Sequence, residues 1–303
     1  MFNPEKYNTT MKKYTIEPSE DVNIIELMER ELFLDIPAEE ILSAGGVWFD
    51  EKRIFDPLFI VPKCHPVKIV TSDNQNVPFE IDDESVVFEH DDFIIINKPG
   101  GISVHNDFSS IKNNLTHAVS SYLKRKGMAY ETYPITRLDY GVSGLTIYAK
   151  NKDGERELFH LTRERKIKKI YVAVLEKDID FKCMRIKSKI SFHWGRACEF
   201  ESGKDAHSLF IKRGSVNGYT VASVMIFTGR RHQIRFHASQ NLASVLGDIY
   251  YDAGCNLTNR KIGLFAYGYN IPYKGEKIRI RLPEIDRKIK EFVDIYTSSR
   301  DSI

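Results

Sequence analysis

The sequence contains no long apolar run, no paired cysteines and no phosphate-binding glycine loop, and each absence removes a class of protein. Its longest apolar runs, such as Phe93–Ile96, fall far short of the roughly 20 residues that cross a bilayer. Residues 1–13 are too polar for a secretion signal, so a soluble, cytoplasmic protein is expected. The cysteines Cys64, Cys183, Cys198 and Cys255 are scattered without a C-x-x-C pair, which argues against a disulfide framework or a structural zinc and for reduced thiols. No internal repeat is evident. What remains is ample for a core: 303 residues, 42% hydrophobic and 28% charged, the size of one large domain or two moderate ones.

The net charge of +2 hides a polarised chain. Residues 1–100 carry 9 Lys+Arg against 21 Asp+Glu, a balance of −12, and residues 101–303 carry 35 against 21, a balance of +14. A basic C-terminal two-thirds favours a polyanionic partner, because lysines and arginines that displace counterions from a phosphate backbone gain affinity from their release. The basic residues also cluster, at Lys124–Lys126, at Arg163–Lys169 and at Arg230–His237, with aromatics between them. That pattern fits a nucleic-acid groove better than a generic solvated face.

Apolar periodicity predicts helices over residues 23–34 and 37–42, then a strand at 47–49 and extended segments to Val70, a compact accessory domain over residues 1–75. Residues 1–20 read as polar and loose, and residues 71–76 as a linker. The larger domain, residues 76–303, opens with a hairpin (86–88 and 93–96) ended by Pro99-Gly100-Gly101. A helix follows at 115–125 with its cations in the last turn. Strands are expected at 145–149, 170–175, 208–211, 219–227, 264–269 and 277–281, with helices at 155–163, 231–240 and 283–296. Strands and helices in this irregular order indicate an α+β sheet rather than a doubly wound one.

Three segments carry chemistry. The stretch from Thr136 through Arg137, Asp139 and Gly141 to Leu145 puts one carboxylate in a glycine-containing loop before a strand, where reactive groups tend to sit. Taken alone, Asp139 with Arg137 two residues earlier reads equally as a surface ion pair. In Thr228–His237 a glycine closes a strand ahead of a helix rich in arginine and histidine, so Arg230, Arg231, His232 and Arg235 are candidates for phosphate binding. His232 and His237 are five apart with no cysteine nearby, which speaks against a metal. In the third segment Lys168 and Lys169 lead into Tyr171 on a strand, a ring on which a base can stack for about 1–3 kcal/mol.

These segments, in this order, resemble one family. Ile96-Asn97-Lys98-Pro99-Gly100-Gly101, then Arg137-Leu138-Asp139 with Ser143-Gly144-Leu145, then Lys169-x-Tyr171-x-Ala173, then Thr228-Gly229-Arg230-x-His232-Gln233-Ile234-Arg235-x-His237, and finally Gly247-Asp248-x-x-Tyr251 are similar to the RluA-type pseudouridine synthases over about residues 85–270. The resemblance implies the mixed, mainly antiparallel sheet of that fold and an enzyme that isomerises uridine in RNA without cofactor or metal. It matches Asp139 to the nucleophile, Tyr171 to the ring that stacks on the flipped base and helps remove the C5 proton, and Arg235 to the partner of the aspartate. Arg137 matches the arginine that flips and holds the RNA, with Arg230, Arg231, His232, Lys168 and Lys169 as further RNA contacts. A nucleophilic aspartate must be ionised, and a flipped base needs a pocket beside phosphate-binding groups.

The chain departs from the family pattern at Thr136, where histidine is usual, at Asn241, where glycine is common, and at Phe265, where histidine is usual. Residues 23–70 are similar in layout to an S4-like RNA-binding domain. Glu39 and Glu40 stand where that domain offers cations, so a degenerate module used for packing or a protein contact is expected. Ribosomal or transfer RNA is the expected partner, and a monomer the expected state. Two rival readings are a catalytically silent RNA-binding protein on this fold and a phosphate-ester hydrolase using Asp139, the latter weakened by the missing P-loop.

Overall fold

The computed structural model describes residues 11–32, 34–72, 78–129, 131–193, 195–251 and 261–300. The chain divides into two units, Met1–Ile81 with Ile102–Gly127, and Asp82–Gly101 with Met128–Ile303. This differs from a single boundary after residue 75. Residues 102–127 group with the first unit through hydrogen bonds to its backbone and side chains: Ile111 N–H donates to Ala44 O at 3.0 Å, and Trp48 Nε1 donates to Phe108 O at 2.9 Å.

The first unit comprises β1 (Met11–Ile16), β2 (Val22–Asn23), α1 (Ile24–Glu31), α2 (Ala38–Ala44), β3 (Val47–Phe49), β4 (Lys52–Arg53), β5 (Ile60–Val61), β6 (Val67–Ser72) and α3 (Leu115–Arg125). Helix α1 starts where the Asn23 side chain accepts from the Ile25 and Glu26 N–H groups. It buries Ile24, Leu27 and Met28 in a core shared with Ile41 and Leu42 of α2. A four-stranded sheet, β1-β6-β3-β4, packs on the pair. Residues 11–16 were expected to be loose but pair antiparallel with β6 from Met11↔Ser72 to Ile16↔Val67. Their charge comes from two neighbouring lysines, which mask the apolar pair Tyr14 and Ile16 that packs on the core. Residues 1–10, and the expected linker from residue 73 onward, lie outside the described residues.

The second unit comprises β7 (Val86–Glu89), β8 (Phe93–Lys98), β9 (Ser143–Ala149), α4 (Lys152–Arg163), β10 (Lys168–Leu175), β11 (Cys183–His193), β12 (Arg196–Glu199), β13 (Lys204–Val216), β14 (Tyr219–Ile226), α5 (Gln233–Asn241), β15 (Leu264–Tyr273), β16 (Glu276–Arg281) and α6 (Ile285–Arg300). Ten strands form one sheet in the order β12-β11-β13-β14-β10-β15-β9-β8-β7, with β16 paired to β15. Every pairing is antiparallel except β15 with β9, so the expected α+β fold with a mainly antiparallel sheet is the fold observed. The long strand β11 and its partner β12 were not expected: β11 alternates Arg185, Lys187 and Lys189 with Ile186, Ser188 and Ile190, and the basic half obscures the strand.

The alternation of β10 sorts the sheet into two faces. Val172 and Val174 enter a core with Leu158 and Leu161 of α4 and Ile289 and Val293 of α6, each such side chain stabilising by about 1.5–3 kcal/mol. Tyr171, between them in the period, turns to the other face, where Phe236 of α5 packs with Ile190 and Ala206. The parallel contact of β9 with β15 depends on Gly144, whose φ is +111° and where a Cβ would lie 2.4 Å from Ala266 O. That close approach aligns the start of β9, and the loop before it, with Tyr171, which pairs with Ala266.

Candidate active site

The loop carrying Asp139 is tied down from beneath. Lys98, at the end of β8 and fully buried, donates through Nζ to Pro99 O (2.9 Å) and to Tyr140 O (3.2 Å), and Gly101 N–H donates to the same Tyr140 carbonyl at 2.8 Å. Burial lowers the Lys98 ammonium to about 7, with the charge of Asp139 acting in the opposite direction. Thr136, in place of the usual histidine, is also buried: its Oγ1 accepts from Ile147 N–H at 3.0 Å and lies 3.0 Å from Tyr269 Oη. It acts as a post that fixes the loop to β9 and β15.

Helix α5 supplies the other wall. Thr228 and Gln233 knit the turn before it, Thr228 Oγ1 donating to Gln233 Oε1 at 2.7 Å and Arg230 N–H to the same oxygen at 3.1 Å. His232 begins the helix in the left-handed region (φ 56°), a backbone state that costs a non-glycine residue roughly 1–3 kcal/mol and is found at functional sites. The result brings Arg235 to Asp139: Nη1 donates to Asp139 Oδ2 at 3.1 Å. The same guanidinium donates from Nε to Asp248 Oδ2 at 2.5 Å and from Nη2 to Asp248 Oδ1 at 2.7 Å. Arg235 and Asp248 are both buried. Burial acts to lower the guanidinium's pKa, but the bonds and charge of Asp248, and then Asp139, outweigh it and raise it.

His232 adds a third contact. Tyr251 Oη accepts from Ala197 N–H at 2.7 Å and sits 3.1 Å from His232 Nδ1. With its lone pair engaged by the backbone, the phenol donates to Nδ1, which leaves the imidazole hydrogen on Nε2, 3.5 Å from Asp139 Oδ2. Burial pushes the His232 pKa down to about 4, against the pull of Asp139, and keeps the ring neutral. Asp139 is therefore fixed through Oδ2. Among the described residues its Oδ1 accepts no hydrogen bond.

These groups line an open cleft bounded by Arg137, Asp139, Tyr171, Arg230, His232 and Arg235 among others. Arg137 is exposed at its mouth and forms no ion pair with Asp139, so the reading of the two as a surface pair fails. Tyr171 presents its ring, and burial together with the charge of Asp139 raises its pKa well above the usual phenol value. Three of the residues expected at the RNA surface stand apart from this cleft. Arg231 lies with its guanidinium 3.8 Å from the ring centre of Phe192. Lys169 is largely buried, and Lys168 is exposed on the opposite face of β10. Asp248, Tyr251 and Lys98 stand in the motifs, but no spacing in the sequence shows which carboxylate meets which guanidinium or what a tyrosine hydroxyl or lysine will support.

The profile of the RNA pseudouridylate synthase family matches residues 92–240, which contain Asp139, Tyr171 and Arg235. The dual-specificity RNA pseudouridine synthase RluA of Pasteurella multocida is 31% identical over 173 residues, spanning 55% of this chain and 76% of that protein. The chain belongs to the RluA-type RNA pseudouridine synthases. As a pseudouridine synthase it is an enzyme of the isomerase class. Ribosomal large subunit pseudouridine synthase C of Buchnera aphidicola is 27% identical over 286 residues, spanning 86% of this chain and 89% of that protein. Among solved structures, human RNA pseudouridylate synthase domain containing 1 has the same fold, with a TM-score of 0.54 at 22% identity over 66% of this chain and 83% of that one. No helix among the described residues is long and apolar enough to cross a membrane.

The buried histidines of this synthase give it an acid limit. His237, with Nδ1 and Nε2 each 2.9 Å from a serine oxygen, Ser208 and Ser188 respectively, is pushed by burial to about 4, like His232. The unfolded chain binds these protons near the ordinary value of about 6.5, so stability is full above that pH and falls as pH drops from about 6.5 through 4. Thermal melts across this window should show a declining midpoint, and His237→Gln should flatten the decline. An unchanged slope in that variant would contradict a neutral His237.

Proposed function

We propose that this synthase isomerises uridines in structured ribosomal or transfer RNA, with Asp139 as nucleophile and the target base turned out of its stack into the cleft. The observation that carries the reading is the one-sided anchoring of Asp139 at the cleft: Oδ2 accepts from Arg235 and lies 3.5 Å from His232 Nε2, while among the described residues no hydrogen bond falls on Oδ1. An ionised carboxylate so held is oriented for attack without losing the oxygen that attacks. Asp139 adds to C6 of the uracil, the N-glycosidic bond breaks and its electrons stay with the base, which turns within the cleft and rejoins the sugar through C5; N1 takes up a proton, and loss of the C5 proton expels the aspartate from C6 and restores the ring double bond. Arg137 at the mouth is suited to hold the phosphate backbone while the base is extruded, and Arg230 to a neighbouring phosphate.

Tyr171 is the platform for the base. Its phenol makes no hydrogen bond among the described residues and stays protonated at neutral pH, so stacking is its first role and assistance to C5 deprotonation the second. Release of tritium from RNA labelled at C5 of uridine reads the reaction directly. Tyr171→Phe is expected to bind RNA as the wild type does while tritium release falls by about 10²–10⁴-fold, the range of a lost acid–base group. A Phe variant with full turnover would leave only the stacking role.

The acidic first unit fits a module that packs or meets a protein rather than one that grips RNA. Glu39 and Glu40 are exposed in the first turn of α2. Phosphate would be repelled there.

A further inference from the structure

The cleft uses one face of the sheet, and the other face at the far end of that sheet has a build of its own. Across the strands, Met184, Phe210, Val224 and Tyr171 stand side by side and point toward the cleft. Their neighbours Arg185, Leu209, Met225 and Ile170 therefore point the opposite way. One pair further along, Lys187 stands opposite His207. The His207 ring is stacked on Phe227, centroids 4.4 Å apart and planes 28° from parallel, and Phe227 is 37% exposed. The Arg185 guanidinium is 5.9 Å from the centre of the same ring.

Lys168 shares the face of Ile170 by alternation, so the aromatic pair has an exposed cation on either side, Lys187 on β11 and Lys168 on β10. Arg185, Lys187 and Lys189 follow one another at alternate positions of β11, about 6.5–7 Å apart, close to the separation of successive phosphates along a polynucleotide. Asp205, opposite Lys189, is the acid paired into this row. Burial and the charges of Lys187 and Arg185 lower the pKa of His207, and its Nε2 is buried with no hydrogen-bond partner, so the ring is a neutral stacking surface. Phe227 also lies three residues before Arg230, which lines the cleft.

We propose that the reverse face of β11 and β13 binds a second, single-stranded stretch of the RNA substrate, with a base stacked on Phe227 and phosphates on Arg185, Lys187 and Lys168. This rests on the reading of the chain as an RNA-modifying synthase. It extends the contact beyond the uridine being turned over and gives Lys168 a role that the cleft does not.

The test is the salt dependence of binding of the full chain to a large-subunit ribosomal RNA transcript, with tritium release from the same C5-labelled transcript followed in parallel. Each phosphate contact on a single strand contributes about 0.7 to the slope of log affinity against log salt. The double variant Arg185→Gln, Lys187→Gln should lower the slope by about 1.4 and weaken binding about tenfold near physiological salt. Phe227→Leu keeps an apolar side chain and should weaken binding about fivefold or more with the slope unchanged. Both effects should appear in KM rather than kcat, with melting midpoints like the wild type's.

A wild type that binds and turns over RNA while both variants match it in affinity and slope would overturn this surface alone. A wild type with neither affinity nor turnover would overturn the synthase reading together with it. Variants that keep RNA affinity but lose binding to poly-glutamate would assign the face to an acidic protein and also overturn the proposal.

Discussion

Asp139→Ala should reduce pseudouridine formation by about 10⁴-fold or more, the scale on which losing a nucleophile acts, while leaving the folded protein and its RNA affinity close to the wild type's. The second half of that result follows from the pairing of Arg235. Asp248 holds the guanidinium through two hydrogen bonds, so removing Asp139 strips no buried charge of its only partner. Nucleoside analysis of RNA after incubation, beside a binding titration, separates this outcome from a protein that only binds. A variant that forms pseudouridine at the wild-type rate would mean that another group attacks.

Asp248→Ala should do the reverse, harming the fold first and the chemistry through it. It leaves the Arg235 guanidinium buried with Asp139, a partly exposed carboxylate, as its one carboxylate partner among the described residues, and breaking a buried pair in this way costs about 3–5 kcal/mol. Freed from Asp248, the arginine shifts toward the cleft mouth, and a displacement of about 1 Å in what positions Asp139 is worth about 10²-fold in rate. Urea unfolding measures the first effect and single-turnover kinetics the second. Asp248→Asn, which keeps the shape and one acceptor, should recover part of both. Wild-type stability in the alanine variant would show that Asp139 alone suffices to neutralise Arg235.

The contrast between Asp139 and Asp248 indicates what was legible in the sequence. The loop with Arg137 and Asp139, the strand with Tyr171 and the turn into Arg235 could all be located from local pattern, because glycine, alternation and charge clusters are local signals. So could the hairpin of β7 and β8 and the helices α3 and α4, with asparagine caps at Asn114 and Asn151. The pairing of Arg235 with two carboxylates, 96 and 13 residues distant in the chain, could not, since it exists only once the sheet brings the loop before β9 against α5 and the turn that follows it. The same holds for the proton on His232, which is set by a tyrosine hydroxyl and a backbone amide from β12.

The elements missed in the sequence were missed for one physical reason. In β11 exposed Arg185, Lys187 and Lys189 fill the solvent-facing half of the alternation, and in β1 the adjacent Lys12 and Lys13 interrupt it, so the period-2 signal is carried by a few apolar residues and reads as a charged loop. Lys168 and Lys169 illustrate the converse error. They are adjacent in sequence and look like one basic patch, yet the pleat sends them to opposite faces of the sheet.

The most direct measurement uses RNA containing 5-fluorouridine. Fluorine at C5 cannot leave as a proton, so the reaction halts after the nucleophile has attacked and the covalent complex accumulates. Denaturing electrophoresis followed by mass spectrometry of the proteolysed complex locates the bond. The account predicts a nucleotide on the peptide containing Asp139 and no complex with Asp139→Ala; an adduct on any other residue, or one that persists in that variant, would contradict it.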